Sequence, residues 1–317
     1  MQYRTQIEIP RYPFKISYKD SLFWIGSCFA NNTGEAMKLL KFNSMVNPFG
    51  AMYNPCSILT ALDLLMSKTE LNSEDLFLHN ELWSSFFFHG SFSDIDKCKA
   101  IKRMNDAIKD ASNVLYSCSF LFVTFGTAYV YRLKNSGKIV GNCHKLPASH
   151  FLHERLTVEE ITELYETFVT KIVNLLPHLR IIFSLSPVRH FGDGAHNNQL
   201  SKAVLMLSIE KLTEKFPEKC FYFPAYEIVM DELRDYRFYD RDMCHVSEQG
   251  IEHVRKIFIQ ALMEPRTQEI IKEVESLNLA KKHRPLHENT SLYKKFIESI
   301  NKKEALLNKL IDEQFMY

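Results

Sequence analysis

Residues 22–30 read Leu22-Phe23-Trp24-Ile25-Gly26-Ser27-Cys28-Phe29-Ala30. An apolar run, short enough for a buried strand, stops at Gly26-Ser27, and a helix-like stretch follows over 30–41 with Ala36, Met37, Leu39 and Leu40 apolar. The same arrangement returns further along. Residues 120–125 read as a second buried strand, ending at Gly126-Thr127, and residues 181–185 as a third, ending at Ser186-Pro187. A short fourth strand is expected over 221–223. Helices are expected between and after them, over 57–67, 94–115, 157–175, 198–215 and 246–263. The fourth-strand region apart, each apolar strand run feeds a helical one, which predicts a parallel sheet covered on both faces, the α/β three-layer class.

In such folds ligands lie at the carboxyl ends of the strands. Ser27, Thr127 and Arg189 fall there. Other local signals are consistent with this frame. Thr157 with Glu160 forms a capping box at the start of a helix. Asn135-Ser136-Gly137 between 129–133 and 139–140 marks a hairpin. Asn47-Pro48-Phe49-Gly50 and Asn54-Pro55 mark turns, and the aromatic stretch 82–88 reads as a strand.

Composition narrows the function. The chain has 317 residues, with 39 Lys+Arg against 38 Asp+Glu, a balance that argues against a general nucleic-acid binder. No apolar run approaches the ~18 residues of a membrane helix, and the N-terminal residues have no apolar core of a signal peptide, so a cytoplasmic location is expected. Seven cysteines without C-x-x-C spacing suggest neither a disulfide framework nor a structural zinc site. His89, His144, His190, His196 and His245 match no standard ligand spacing, so no metal and no cofactor is expected.

Three residues can carry chemistry together. Ser27 sits on a strand-to-helix turn, where a base could activate its hydroxyl and unpaired backbone N–H groups could stabilise an oxyanion. Alternatively it simply caps the helix. Asp242 and His245 are three residues apart, so the carboxylate can hold one imidazole nitrogen and leave the other free as a general base. Asp240 is a second candidate for the orienting carboxylate, and Cys28 a rival nucleophile whose thiol would be acidified at a helix N-terminus. Arg189 can clamp a carboxylate or phosphate, or pair with Asp193. His190 follows the third strand beside Arg189 as a further substrate-binding candidate, and His144 with Lys145, past the hairpin, can line the mouth of a pocket or lie on a solvent-facing loop.

Gly26-Ser27-Cys28-Phe29-Ala30 resembles the signature of the GSCFA family, a bacterial branch of the GDSL/SGNH hydrolase superfamily. Asn47 to Gly50 with Tyr53-Asn54-Pro55, Phe125 to Ala128, Asn142 to Lys145, Ser186 to His190, Asn198 to Lys202, Asp235 to Tyr239 and Asp242 to His245 resemble it too, in order, over about residues 20–262. The resemblance implies a flavodoxin-like α/β/α fold, with Ser27 as nucleophile and Asp242 and His245 completing the triad. It further implies an oxyanion hole built from the Ser27 N–H, the Gly50 N–H and an asparagine side chain. That asparagine is replaced by Ala128, so Thr127, Asn54 or Asn142 would have to supply the missing donor.

The function expected is a serine esterase or deacylase acting on a small-molecule, glycan or lipid acyl ester. The alternatives are an acyltransferase using the same triad and a non-catalytic binding module on a hydrolase fold. Residues 1–265 are expected to form the catalytic domain. Residues 266–317, rich in Lys and Glu with Tyr293, Phe296, Ile300, Leu307 and Ile311 near helical spacing, are expected to form a helical extension. Its apolar face would pack on the body or pair in a homodimer.

Overall fold

A computed structural model describes residues 5–283, 285–287 and 289–314. The central sheet has five parallel strands: β1 (Leu22–Gly26), β2 (Ser44–Val46), β5 (Phe120–Phe125), β9 (Arg180–Leu185) and β10 (Cys220–Tyr222), in the order β10-β9-β5-β1-β2. The chain first steps from β1 to the β2 edge. It then crosses back to β5 and continues outward to β9 and β10. β1 and β5 therefore flank the point where strand order reverses, the place where open α/β sheets bind ligands.

Alternation along the strands builds two half-cores. Phe23, Ile25, Leu121, Val123, Ile181 and Phe183 face one side. There they meet the helices α2 (Pro55–Ser67), α3 (Lys97–Ser117), α4 (Val158–Leu175) and α5 (Ala195–Lys215). Leu22, Trp24, Phe120, Phe122 and Ile182 face the other, against α1 (Cys28–Leu39), the short α6 (Ala225–Glu227) and α7 (Glu248–Leu262). Trp24 and Phe122, paired in register, stack with centroids 3.8 Å apart and rings 7° from parallel. The result is the three-layer α/β/α arrangement with a parallel central sheet.

Two smaller sheets lie outside these layers. One is the hairpin of β3 (Phe77–His79) and β4 (Leu82–Ser84). The other is antiparallel, β7 (Ile139–Val140), β6 (Tyr129–Leu133) and β8 (Phe151–Arg155), in the order β7-β6-β8. The strand expected over 82–88 stops at Ser84, because the Phe86 carbonyl turns to accept the Gly141 and Asn142 N–H groups instead of a ladder partner. Thr157 caps α4 as expected: its hydroxyl accepts from the Glu160 N–H while the Glu160 carboxylate accepts from the Thr157 N–H.

After α7 the chain continues as α8 (Pro265–Lys281) and α9 (Ser291–Gln314). Ile271 and Val274 of α8, and Leu307 and Ile311 of α9, are buried in the same half-core as α1 and α7. Asn278 donates to the Leu39 carbonyl at 2.8 Å, and Glu304 bridges Lys41 and Lys281. Among the described residues no helix is long and apolar enough to cross a membrane.

Candidate active site

Local backbone chemistry sets the turn that ends β1. Gly26 has φ +135, and a Cβ there would lie 2.2 Å from the Thr124 carbonyl oxygen, so only glycine fits. The Gly26 N–H donates to Asn47 Oδ1 at 2.8 Å, and its carbonyl accepts from Met52 N–H at 2.9 Å. The 47–50 turn is thereby fastened to the 26–27 turn. Ser27 follows as the N-cap of α1, extended in backbone, with its Oγ accepting from Phe29 N–H at 3.3 Å. Serine is therefore in its ordinary capping place, at the positive end of a helix dipole. It is 1 % exposed and lies on the wall of a cavity of about 740 Å³.

His245 lies on the same cavity wall. Its loop is closed by a bridge between Tyr239 and Val246 and turns at Met243, φ +57. Asp242 Oδ2 meets His245 Nδ1 at 2.5 Å, while Asp242 Oδ1 accepts from the Cys244 and His245 N–H groups at 2.9 Å each. The hydrogen bond from His245, with those two backbone N–H groups, holds the Asp242 carboxyl well below the usual carboxylate range. Asp240 contributes only backbone to this turn, its N–H donating to the His245 carbonyl. The imidazole partner is Asp242. Among the described residues no hydrogen bond joins Ser27 Oγ to His245.

The other candidates divide. Asn54, Thr127, Asn142, Arg189 and His190 line the cavity. Gly50 and His144 are not among its lining residues. The Gly50 N–H donates to the Asn47 carbonyl, and the Ser27 N–H donates to the Thr124 carbonyl, so both backbone donors implied for the oxyanion are already engaged. His144 is held outside by a 2.8 Å bond between its Nε2 and the Ser85 carbonyl and packs edge-on against Phe77. Burial lowers its pKa.

Thr127 is committed too. Its hydroxyl meets Ser201 Oγ at 3.1 Å and accepts from Tyr129 N–H. Ala128, the position at which the sequence resemblance implied an asparagine, is fully buried and gives its N–H to Ser201 Oγ. Asn54 and Asn142 differ. Asn54 Oδ1 accepts from Ser57 N–H as the cap of α2, and Asn142 Oδ1 accepts from His144 N–H. A backbone N–H can only meet the oxygen end of the amide, so each Nδ2 is left as a donor. Neither has a partner among the described residues.

Arg189 braces the loop that carries His245. Its Nη2 donates to the Met243 carbonyl and its N–H to the Cys244 carbonyl, and its guanidinium lies 4.4 Å from the Tyr239 ring centroid and 5.0 Å from that of Phe191. This clasp uses Nη2 and the main-chain N–H, and leaves Nε buried without a partner among the described residues. His190 is anchored by its N–H to Asn198 Oδ1. Burial, then the charges of Lys202 and His245, push its pKa down to about 4, so it is neutral near pH 7. Cys28 Sγ lies 3.2 Å from Tyr53 Oη.

Sequence reasoning missed several groups here. Lys202 of α5 is 2 % exposed, and its Nζ donates to the Gly126 and Ser186 carbonyls at 2.7 Å each, tying the ends of β5 and β9. Tyr129, Tyr131 and His153 form a further wall of the cavity. For Tyr129 and Tyr131 the signal was present in the alternation of the 129–133 hairpin strand; for His153 there was none. Among the described residues no cluster of three or more His, Cys, Asp or Glu could hold a metal ion.

A family model described as the GSCFA family matches residues 21–258, which include every residue of this site. The chain belongs to the GSCFA family. The matched span runs from just before β1 almost to the end of α7, so it contains the whole central sheet of this GSCFA fold. No curated protein matches the chain.

Proposed function

We propose that this GSCFA chain is a serine esterase or deacylase of the SGNH type, with Ser27 as nucleophile, His245 as general base and Asp242 as its orienting carboxylate. The observation that carries the reading is the 2.5 Å contact of Asp242 with His245 Nδ1, on a loop whose imidazole shares one cavity with Ser27. With Nδ1 held, Nε2 is the nitrogen left for the hydroxyl.

In this reading His245 Nε2 takes the Ser27 proton as Oγ bonds to the ester carbonyl carbon. The carbonyl π pair moves onto oxygen. Two donors are proposed for that oxyanion: the Cys28 N–H, one of the orphan donors of the first turn of α1, and Asn54 Nδ2 in place of the asparagine lost at Ala128. Collapse breaks the ester C–O bond, and the alcohol leaves with the proton from His245. Water then gives its proton to His245 and attacks the acyl-enzyme. Ser27 recovers the proton as the carboxylic acid departs. Transfer of the acyl group to another hydroxyl uses the same atoms, with an alcohol in place of water.

A second reading, a non-catalytic binding module, draws on the burial of Ser27, its Oγ serving as a helix cap, and the loss of the asparagine at Ala128. Labelling with a fluorophosphonate followed by peptide mapping separates the two. The esterase reading expects label on Ser27, lost in Ser27→Ala and sharply reduced in His245→Ala. Folded wild-type protein that takes no label would overturn it and favour the binding module. Label on Cys28 in Ser27→Ala would transfer the role to the thiol.

A further inference from the structure

One wall of the cavity has a definite chemistry. Tyr129 and Tyr131 are two apart on β6 and so share a face, and His153 on β8 is paired directly opposite Tyr131. The Tyr131 and His153 rings lie 14° from parallel with centroids 4.4 Å apart, and Tyr129 follows at 4.9 Å from His153. His153 Nδ1 approaches Asp193 Oδ1 at 3.5 Å, which steadies the row from the loop after β9. The row stands on a paired sheet, so these rings are held rigidly in place.

We propose that the cavity accepts a saccharide carrying a short acyl ester, with the sugar against Tyr129, Tyr131 and His153 and the acyl group directed to Ser27. This rests on the serine-hydrolase reading above for its chemistry, though not for its binding. Three observations point to the sugar. First, among the described residues Val140 and Val188 are the only branched aliphatic residues lining the cavity, and its other large apolar side chains are the rings of Tyr53, Tyr129, Tyr131 and Phe191, so a long acyl chain would find few aliphatic partners while a sugar ring would find flat faces. Second, several polar groups on the lining residues have no protein partner among the described residues: the Tyr129 and Tyr131 hydroxyls and the Nδ2 groups of Asn54 and Asn142. Hydroxyl-rich ligands both donate and accept, and they match such a set. Third, among the described residues Arg189 is the only Arg or Lys lining the cavity, and its Nη2 is bonded to the Met243 carbonyl while its plane lies by the Tyr239 ring. Its Nε is buried and has no partner among the described residues, so a phosphate or carboxylate would meet only a cation already half-engaged, whereas a neutral ligand needs none. The volume of about 740 Å³ is within the ~300–1,000 Å³ typical of pockets that enclose a small ligand.

The reaction would be sugar–O–CO–R plus water giving sugar–OH and RCOOH. The sugar oxygen leaves with the His245 proton, and water supplies the acid hydroxyl.

Two measurements test this. Ser27→Ala protein is titrated calorimetrically with partly O-acetylated xylo-oligosaccharide and, separately, with a dodecanoyl monoglyceride. Wild type is assayed on p-nitrophenyl esters from acetyl to decanoyl and on the acetylated oligosaccharide. The proposal expects binding of the oligosaccharide and not of the monoglyceride, and activity that falls with acyl length. Tyr131 is 42 % exposed, so Tyr131→Ala should fold. It should raise KM for the oligosaccharide on the order of tenfold more than for p-nitrophenyl acetate, as expected when one anchoring ring is removed. Asn142→Asp, which keeps the Oδ1 acceptor and loses the NH2, should weaken oligosaccharide binding in the Ser27→Ala background. Binding of the monoglyceride alone, rising activity with acyl length, or an unaltered oligosaccharide titration in both wall variants would overturn the proposal. Oligosaccharide binding in a protein that takes no fluorophosphonate would uphold the sugar site while removing the serine chemistry.

Discussion

Replacing Lys202 by methionine should change how stability depends on pH. The lysine is buried between two strand ends, with carbonyls as its hydrogen-bond acceptors, and desolvation lowers its pKa from 10.5 to about 7. Unfolded, the amine keeps its proton up to 10.5; folded, it gives the proton up near 7. Between these values the unfolded chain binds one more proton than the native one, so Lys202 makes wild-type stability rise with pH through that window. Below about 7 the full cost of a buried ammonium is in force; above 10.5 it vanishes.

The slope is ~1.4 kcal/mol per pH unit where the two states differ by one proton, which integrates to about 2 kcal/mol between pH 7 and 9. Methionine fills similar space and does not titrate. Its own cost, two carbonyls left without a donor, is roughly 1–3 kcal/mol for each and independent of pH. Other groups also titrate near this window, among them Cys118 and Cys220, whose burial pushes their thiols up to about 12. They are common to both proteins and cancel in the difference. Urea unfolding of wild type and Lys202→Met at pH 7, 8 and 9 should show the gap widening by about 2 kcal/mol in favour of wild type as pH rises. Parallel stability profiles would refute the reasoning and mean that Lys202 stays an ammonium inside the fold.

Gly26→Ala should lower Tm by on the order of 10 °C or abolish folding, since its Cβ would lie 2.2 Å from the Thr124 carbonyl oxygen at a φ of +135; a thermal melt checks this. Asn54→Asp should keep the α2 cap yet cut esterase turnover on the order of 10²–10³-fold by removing the NH2 donor, whereas Asn54→Ala should also lose about 1 kcal/mol of stability. Arg189→Ala should slow fluorophosphonate labelling of Ser27 on the order of 10²-fold by loosening the loop that carries His245, and Arg189→Lys should not restore it, because a lysine cannot keep both the Met243 contact and the aromatic stacking.

The main strands were legible because β1, β5 and β9 are buried on both faces, which writes them as unbroken apolar runs. β2 was not. Ser44-Met45-Val46 is a three-residue edge strand, with one neighbour and too little buried surface to leave a pattern. β8 was missed for a related reason: of Phe151 to Arg155 only Phe151 is buried, so no alternation appears. The Asp242–His245 contact could be read from spacing, since both residues belong to one turn. The clasp of Arg189 on the Met243 carbonyl, the Lys202 tie and the Tyr131–His153 stack join residues from different elements. They exist only once the chain has folded, and no local pattern encodes them.

The order of synthesis gives the packing of α7, α8 and α9 a further meaning. Phe258 of α7 packs on Trp24 and Phe122, which belong to strands made far earlier, α8 and α9 add their apolar faces to the same half-core, and the Ile16 carbonyl accepts from the Glu264 N–H. Until residues beyond about 258 leave the ribosome, only α1 and the short α6 can cover that side of the sheet, and the faces of Trp24 and Phe122 that Phe258 will meet stay open to water. At the usual elongation rate of ~5–20 residues per second that exposure lasts several seconds for each chain made. A chain halted before α7 should therefore bind a hydrophobic dye and recruit chaperones, and extension through α9 should end both.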